Sequence, residues 1–161
     1  MSRSVVHYVP ILTTALTVPF ALEIFGRYRR HPERVHLLWW SPGVVIYGIG
    51  TLTESLTTIL GWREGIFRAW YISGALMGGA PLPQGTVYLL LSRRRAHLLT
   101  AVLLSVIAIA ATAVLLSPID YTQVESHRLT GRVFGWTWVP LFSPFINLYA
   151  VVFLLGGDTF S

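Results

Sequence analysis

One long apolar stretch, from His36 to Gly61, constrains the fold more than any other part of this sequence. It exceeds the roughly 20 residues that a helix needs to cross a bilayer. At helical spacing, small and polar residues share one of its faces: Gly43, Tyr47, Gly50, Glu54, Thr57 and Gly61. A carboxylate at the bilayer centre costs about 2.5–3.5 kcal/mol. The stretch therefore predicts a membrane helix whose polar face other helices cover, and Glu54 needs a partner, a proton or water.

The composition excludes an ordinary soluble domain. Of the 161 residues, 53% are hydrophobic and 12% are charged, whereas soluble domains carry about 25% charged residues. Five apolar segments approach the length of a membrane span. We predict an all-α, polytopic membrane bundle that forms a single transmembrane domain, with spans at approximately 5–25, 36–60, 67–91, 97–116 and 134–155.

The arginines predict the orientation. All twelve basic residues are Arg, and cytoplasmic loops are enriched in basic residues. An outside N-terminus places seven of them inside, in two clusters: Arg27, Arg29, Arg30 and Arg34, then 93–95. The outer side keeps five, namely Arg3, Arg63, Arg68, Arg128 and Arg132. We therefore predict an N-out, C-in protein of a bacterial-type inner (plasma) membrane, with the lipid bilayer rather than nucleic acid as its partner.

Glycines predict a tight contact between the second and third spans. Gly74 and Gly78 are four residues apart, a spacing that lets helices approach closely, and Gly43 and Gly50 offer a matching surface. Directly afterwards, residues 81–83 read Pro-Leu-Pro and must disrupt the third span, because proline lacks a backbone donor. Two interpretations remain: a broken helix that lines a cavity, or a kink capped by Gln84.

Glu54 is the polar residue that most needs an explanation. It lies roughly 9 Å outward from Gly48, near the middle of its span, at about 1.5 Å per residue. One hypothesis pairs it with His7, since histidine titrates near neutral pH and such a pair suits proton coupling. The alternative is a structural hydrogen bond to Ser73 or to a backbone group. Glu23 has a simpler interpretation as an i,i+4 ion pair with Arg27.

Other polar residues extend this pattern across the predicted bilayer. Asn147 lies near the middle of the fifth span, and Gln84 lies toward the inside. Glu54, Asn147 and Gln84 differ too much in depth to form one catalytic cluster. Their positions favour a pathway across the membrane or contacts between helices. Substrate or ion pathway candidates are Glu54, His7, Gln84, Asn147, Ser73 and Tyr47. The sequence has no cysteine and no phosphate loop or nucleophile elbow, so we predict no metal, no cofactor and no catalytic residue.

Three functions fit this pattern, and catalysis is the least favoured. The first is a small transport or permeation unit for a small molecule or ion, forming a homo-oligomer, with Glu54, Asn147 and Gln84 lining its path. The second is a non-catalytic accessory subunit of a larger membrane complex, in which polar stripes are helix contacts. The third is an intramembrane enzyme or binding protein for a lipid or isoprenoid, with Glu54 as acid or base.

Overall fold

The computed structural model describes residues 9–125 and 128–159, and helices dominate this part of the chain. It contains no β-strand within those ranges, only two isolated bridges. The chain is therefore an all-α bundle. Its helices are α1 (Val9–Arg30), α2 (Val35–Leu60), α3 (Glu64–Trp70), a π-helix (Tyr71–Leu76), α4 (Pro81–Leu90), α5 (Arg93–Leu116) and α6 (Phe142–Thr159).

By length and composition, two helices of the described ranges qualify as membrane spans: α2 and α5. The segment Val139–Leu155 is also apolar but shorter. The predicted third span is divided into α3, the π-helix and α4, which together are called the broken helix here. The predicted start of the fifth span at 134 differs from the structure, in which α6 begins at Phe142.

The broken helix lies at the centre of the bundle. One side of it packs against α2, which in turn packs against α1. Its other side contacts α5 and α6. The larger core forms where α5 and the described residues between α5 and α6 meet the broken helix, around Phe67, Tyr71 and Leu76. A smaller core joins α1 to α2 and includes Ala21 and Val44.

Glycine permits the close approach of α2 to the broken helix. A β-carbon on Gly50 would lie 3.1 Å from the Cα of Gly74, and one on Gly43 would lie 3.2 Å from Leu82. Both are tighter than ordinary van der Waals contact. Gly78 lies elsewhere, because its β-carbon would meet the carbonyl oxygen of Gly74 in its own segment. Three of the four predicted packing glycines therefore lie at this helix contact.

Proline and two side chains explain the geometry of the break. Proline at the first turn of α4 starts a new helix and offers no donor to the preceding turn. The π-helix ends with the Met77 amide donating to Ile72 at 2.9 Å. The Ser143 hydroxyl donates to the carbonyl of Ala75 at 2.9 Å, and the indole of Trp40 donates to that of Leu82 at 3.1 Å. Neighbouring helices thus supply the donors that backbone carbonyls around the break accept.

Residues 117–125 and 128–141 fold over the end of the bundle at which α5 ends and α6 begins. The Gly135 amide donates to Pro118 at 2.8 Å, and the Asp120 amide donates to Val133 at 2.8 Å. Val133 and Phe134 are buried against the broken helix. These residues were expected to begin the fifth span, but their apolar side chains fill the core of a folded loop. Hydropathy alone does not separate these two uses of an apolar residue.

Candidate functional site

The polar face of α2 is divided between two environments. Gly43, Gly50 and the buried Thr57 share the side of α2 that packs on the broken helix. Tyr47 and Glu54 are exposed. They share a face of α2 because seven residues are close to two helical turns. That face lies between α1 on one side and the broken helix on the other.

A groove runs along this face, and we call it the α1–α4 groove. Its volume is about 480 Å³, and its lining residues come from three helices: Thr13, Leu16, Thr17, Phe20, Val44, Tyr47 and Leu82. The threonine hydroxyls bond within α1, since Thr17 donates to the Thr13 carbonyl at 2.7 Å and Thr13 donates to Val9 at 3.0 Å. The groove is therefore mainly apolar, and the Tyr47 phenol is its most polar lining group.

Glu54 lies beyond the end of this groove that is nearer the C-terminus of α2. It is seven residues after Tyr47, or roughly 10 Å along the helix axis. Among the described residues, its carboxylate has no hydrogen-bond or ion-pair partner. The predicted anchor, Ser73, is buried and donates to the Ala69 carbonyl at 2.7 Å instead. The other predicted partner, His7, lies outside the described residues, so the His7–Glu54 pair stays a prediction.

Gln84 lies away from the groove, in a buried network that joins three helices. Its amide nitrogen donates to the Thr100 hydroxyl at 2.7 Å and to the Ala96 carbonyl at 3.4 Å. Its amide oxygen accepts a hydrogen bond from Tyr149. The Tyr88 hydroxyl also bonds Thr100, at 3.1 Å. Gln84 is completely buried, and it connects α4 to α5 and α6 rather than capping the broken helix.

Asn147 supports the break from the α6 side. Its amide nitrogen donates to Ser143, the residue that bonds the Ala75 carbonyl, at 3.2 Å. Its amide oxygen would lie 2.7 Å from a β-carbon on Gly79, so this close approach depends on glycine. Glu54, Gln84 and Asn147 therefore occupy three separate places. None of these residues belongs to the lining of the α1–α4 groove.

Glu23 has the simple environment that its spacing predicts. The Arg27 guanidinium donates to its carboxylate at 3.0 Å, and both side chains are exposed near the end of α1. The predicted i,i+4 ion pair is confirmed.

A polar cluster that the sequence did not predict lies at the end of the bundle where α5 ends. Arg68 donates to the Glu64 carboxylate at 2.7 Å and to the Ser117 carbonyl at 2.9 Å, and it also bonds the Val114 carbonyl. Tyr121 donates to the same carboxylate at 2.6 Å. This bond and the Arg68 contacts lower the pKa of Glu64. The i,i+4 spacing of Glu64 and Arg68 was the available signal. The cluster fixes the C-terminal end of α5.

Among the described side chains, a group of metal ligands or a partner for Glu54 would indicate chemistry at this site. Within 9–125 and 128–159, no group of three His, Cys, Asp or Glu residues could hold a metal ion. Glu54 has no nucleophile or base bonded to it in the same ranges. The chain matches no protein-family model, no curated protein and no solved structure.

Proposed function

We propose that the chain is an integral protein of a plasma membrane that crosses the bilayer five times, with its N-terminus outside. The distribution of apolar surface supports this. Large apolar side chains stand exposed on helices all around the bundle, including Leu16 at 62%, Leu98 at 65% and Phe145 at 71%. Polar residues such as Gln84 and Ser73 are buried. Contiguous exposed apolar surface of this extent suits contact with lipid.

The positions of the charges support the same proposal. The three arginines 93–95 begin α5 and are exposed. Arg27 lies in the last turns of α1, at the same end of the bundle. The Glu64–Arg68 pair lies at the opposite end. Between the two ends, α2 carries one carboxylate, Glu54.

Within the bilayer, the proposed function is non-catalytic binding of a lipid-like amphiphile, such as a single-chain lipid or an isoprenoid. The α1–α4 groove is the observation that carries this proposal. Its volume of about 480 Å³ falls in the range of small-molecule sites. Its lining residues Leu16, Phe20 and Tyr47 are exposed, so that the surrounding bilayer would supply an apolar chain. Its exposed tyrosine and the nearby carboxylate suit the polar head of such a molecule.

The second candidate is an accessory subunit of a larger membrane complex or homo-oligomer. The use of Gln84 and Asn147 in contacts between helices favours it, because interhelical hydrogen bonding is the common role of such residues in membranes. In that case a helix of a partner occupies the groove. Transport through one chain is the weaker proposal, since Glu54, Gln84 and Asn147 lie in three separate places in the described part of the chain.

Cysteine labelling tests the membrane topology. The chain has no cysteine, so a maleimide reacts only with the single cysteine that a substitution introduces. We choose Gln123→Cys, between α5 and α6, and Arg94→Cys at the start of α5, because both positions are exposed. A membrane-impermeant maleimide is expected to label Gln123→Cys in intact cells and Arg94→Cys only after lysis. Equal labelling of both positions in intact cells would contradict the topology.

A filled groove tests the binding function. Thr13→Trp places an indole in the groove and removes only a bond within α1. Ser105→Trp adds the same side chain at an exposed position on α5. Protein in phosphatidylcholine nanodiscs is cross-linked to dodecanol bearing a diazirine. Saturable labelling is expected for the wild type and for Ser105→Trp, but not for Thr13→Trp. Equal labelling of all three would exclude the groove.

A further inference from the structure

We propose that the α1–α4 groove selects a cationic amphiphile, a long-chain amine or ammonium compound, and that the Glu54 carboxylate binds its nitrogen. This inference rests on the proposed binding function and adds the class of headgroup. The argument depends on the charge of Glu54, its isolation and its position relative to the groove.

Glu54 differs from every other acidic side chain that the structure describes. The other five acidic side chains all have a partner. Glu23, Glu64 and Glu125 pair with arginine, Glu33 bonds His31, and Asp120 accepts two bonds from Thr122. Glu54 is exposed on α2, and no residue within 9–125 and 128–159 bonds its carboxylate. A carboxylate in an apolar environment needs a counter-charge or a proton.

The depth of Glu54 places this charge where a headgroup would lie. The groove floor passes Val44 and Tyr47, and Glu54 follows on the outer side. Ten residues separate Val44 from Glu54, which corresponds to roughly 15 Å of helix. An amphiphile whose nitrogen meets Glu54 can therefore lay its chain inward along Tyr47 and Val44 toward Leu82.

The negative charge of the Glu54 carboxylate favours a cationic headgroup over an anionic or a neutral one. An anionic headgroup would be repelled by the carboxylate, and a neutral alcohol would form a hydrogen bond without neutralising it. An ammonium group forms a charge-assisted hydrogen bond, which is stronger than a neutral one. Among the residues that the structure describes, the groove walls add no basic side chain, because they consist of apolar residues, threonine and tyrosine.

Two probes that differ only in the headgroup test the inference. Dodecylamine and dodecanol, each bearing the same diazirine, are titrated against the protein in phosphatidylcholine nanodiscs at neutral pH. An alkyl amine is protonated there, as a lysine side chain is. The half-saturating concentration of the amine is expected to be about tenfold lower than that of the alcohol, which corresponds to one charge-assisted contact.

Substitution of the carboxylate provides the decisive comparison. Glu54→Gln is expected to remove the preference for the amine and to leave alcohol binding intact, which also shows that the variant is folded. Glu23→Gln removes a carboxylate from α1 and is expected to keep the preference. Equal affinity of the wild type for both probes, as would follow if His7 neutralised Glu54, overturns the inference while the groove function stands. A preference that persists in Glu54→Gln also overturns it. Loss of saturable binding for both probes in the wild type overturns the groove function as well.

Discussion

Gly50→Ala is expected to destabilise the bundle, because α2 meets the broken helix at this position. The added β-carbon would lie 3.1 Å from the Cα and 3.4 Å from the amide nitrogen of Gly74. Both are backbone atoms, so no side-chain rotation relieves the contact. The two helices must separate, or the π-helix must shift.

The magnitude follows from two opposing effects. Overpacking of a well-packed contact costs about 1–3 kcal/mol. Alanine in place of glycine within a helix recovers at most about 1 kcal/mol. With the full recovery subtracted, the free energy of unfolding is therefore expected to fall by up to about 2 kcal/mol.

Two matched substitutions separate the contact from helix propensity. A β-carbon on Gly26, in α1, would have nothing within 4 Å, so Gly26→Ala should be neutral or stabilising. A β-carbon on Gly74 would meet atoms only at 3.5 Å and beyond, which is ordinary contact, so Gly74→Ala should fall between the two. Unfolding in mixed micelles of dodecyl sulfate, followed by circular dichroism, measures all three. If Gly50→Ala were as stable as Gly26→Ala, the close helix contact would be refuted.

Three further predictions concern the polar networks, and unfolding in detergent measures each of them. Arg68→Lys is expected to lower the free energy of unfolding by about 2–3 kcal/mol, because an ammonium group cannot make all the hydrogen bonds of the guanidinium in this largely buried side chain. A loss below about 0.5 kcal/mol would show that Arg68 does not fix the end of α5. Tyr121 and Arg68 lower the pKa of Glu64 in the folded protein. The ionised carboxylate therefore stabilises the fold when the pH is above the pKa of Glu64 in the unfolded chain, and this stabilisation is lost as the pH falls through the lower pKa of the folded state. The Tm should therefore drop on acidification below pH 5, and Glu64→Gln should reduce that drop; an identical drop in both proteins would contradict the assignment. Gln84→Leu is expected to lower the free energy of unfolding by about 1–3 kcal/mol, because it leaves the Tyr149 hydroxyl without its acceptor. The effects of Gln84→Leu and Tyr149→Phe should be non-additive. Simple addition of the two effects would show that the two residues are not coupled.

Periodicity and length predicted the long helices well. The predicted span 36–60 corresponds to α2, Val35–Leu60, because an uninterrupted apolar pattern has few alternatives. The break near Pro81 could also be predicted, since proline removes donors that a continuous helix needs. The residues that bond the carbonyls around it, Ser143 and Trp40, could not be predicted, because they come from helices that are distant in the sequence.

Two features depended on tertiary packing and could not be read from the sequence pattern. Val133 and Phe134 are as apolar as residues of a span, yet they fill the core beneath a folded loop. Tyr47 and Glu54 share a helical face with Gly50 in the sequence. The structure separates them because α1 and the broken helix pack on either side of α2 and leave a groove between. Helical spacing gives the angle of a residue on its helix but does not show which neighbour faces it.

Mapping of the cross-linked residues tests the central proposal most directly. The wild type in nanodiscs is labelled with the diazirine-bearing dodecanol, with and without excess unlabelled dodecanol, and the modified peptides are identified by mass spectrometry. We expect the labelling that competitor removes to fall on Leu16, Phe20 and Tyr47, in the groove. Labelling spread over exposed residues such as Leu98 and Phe145, and unaffected by competitor, would contradict a specific lipid-binding groove.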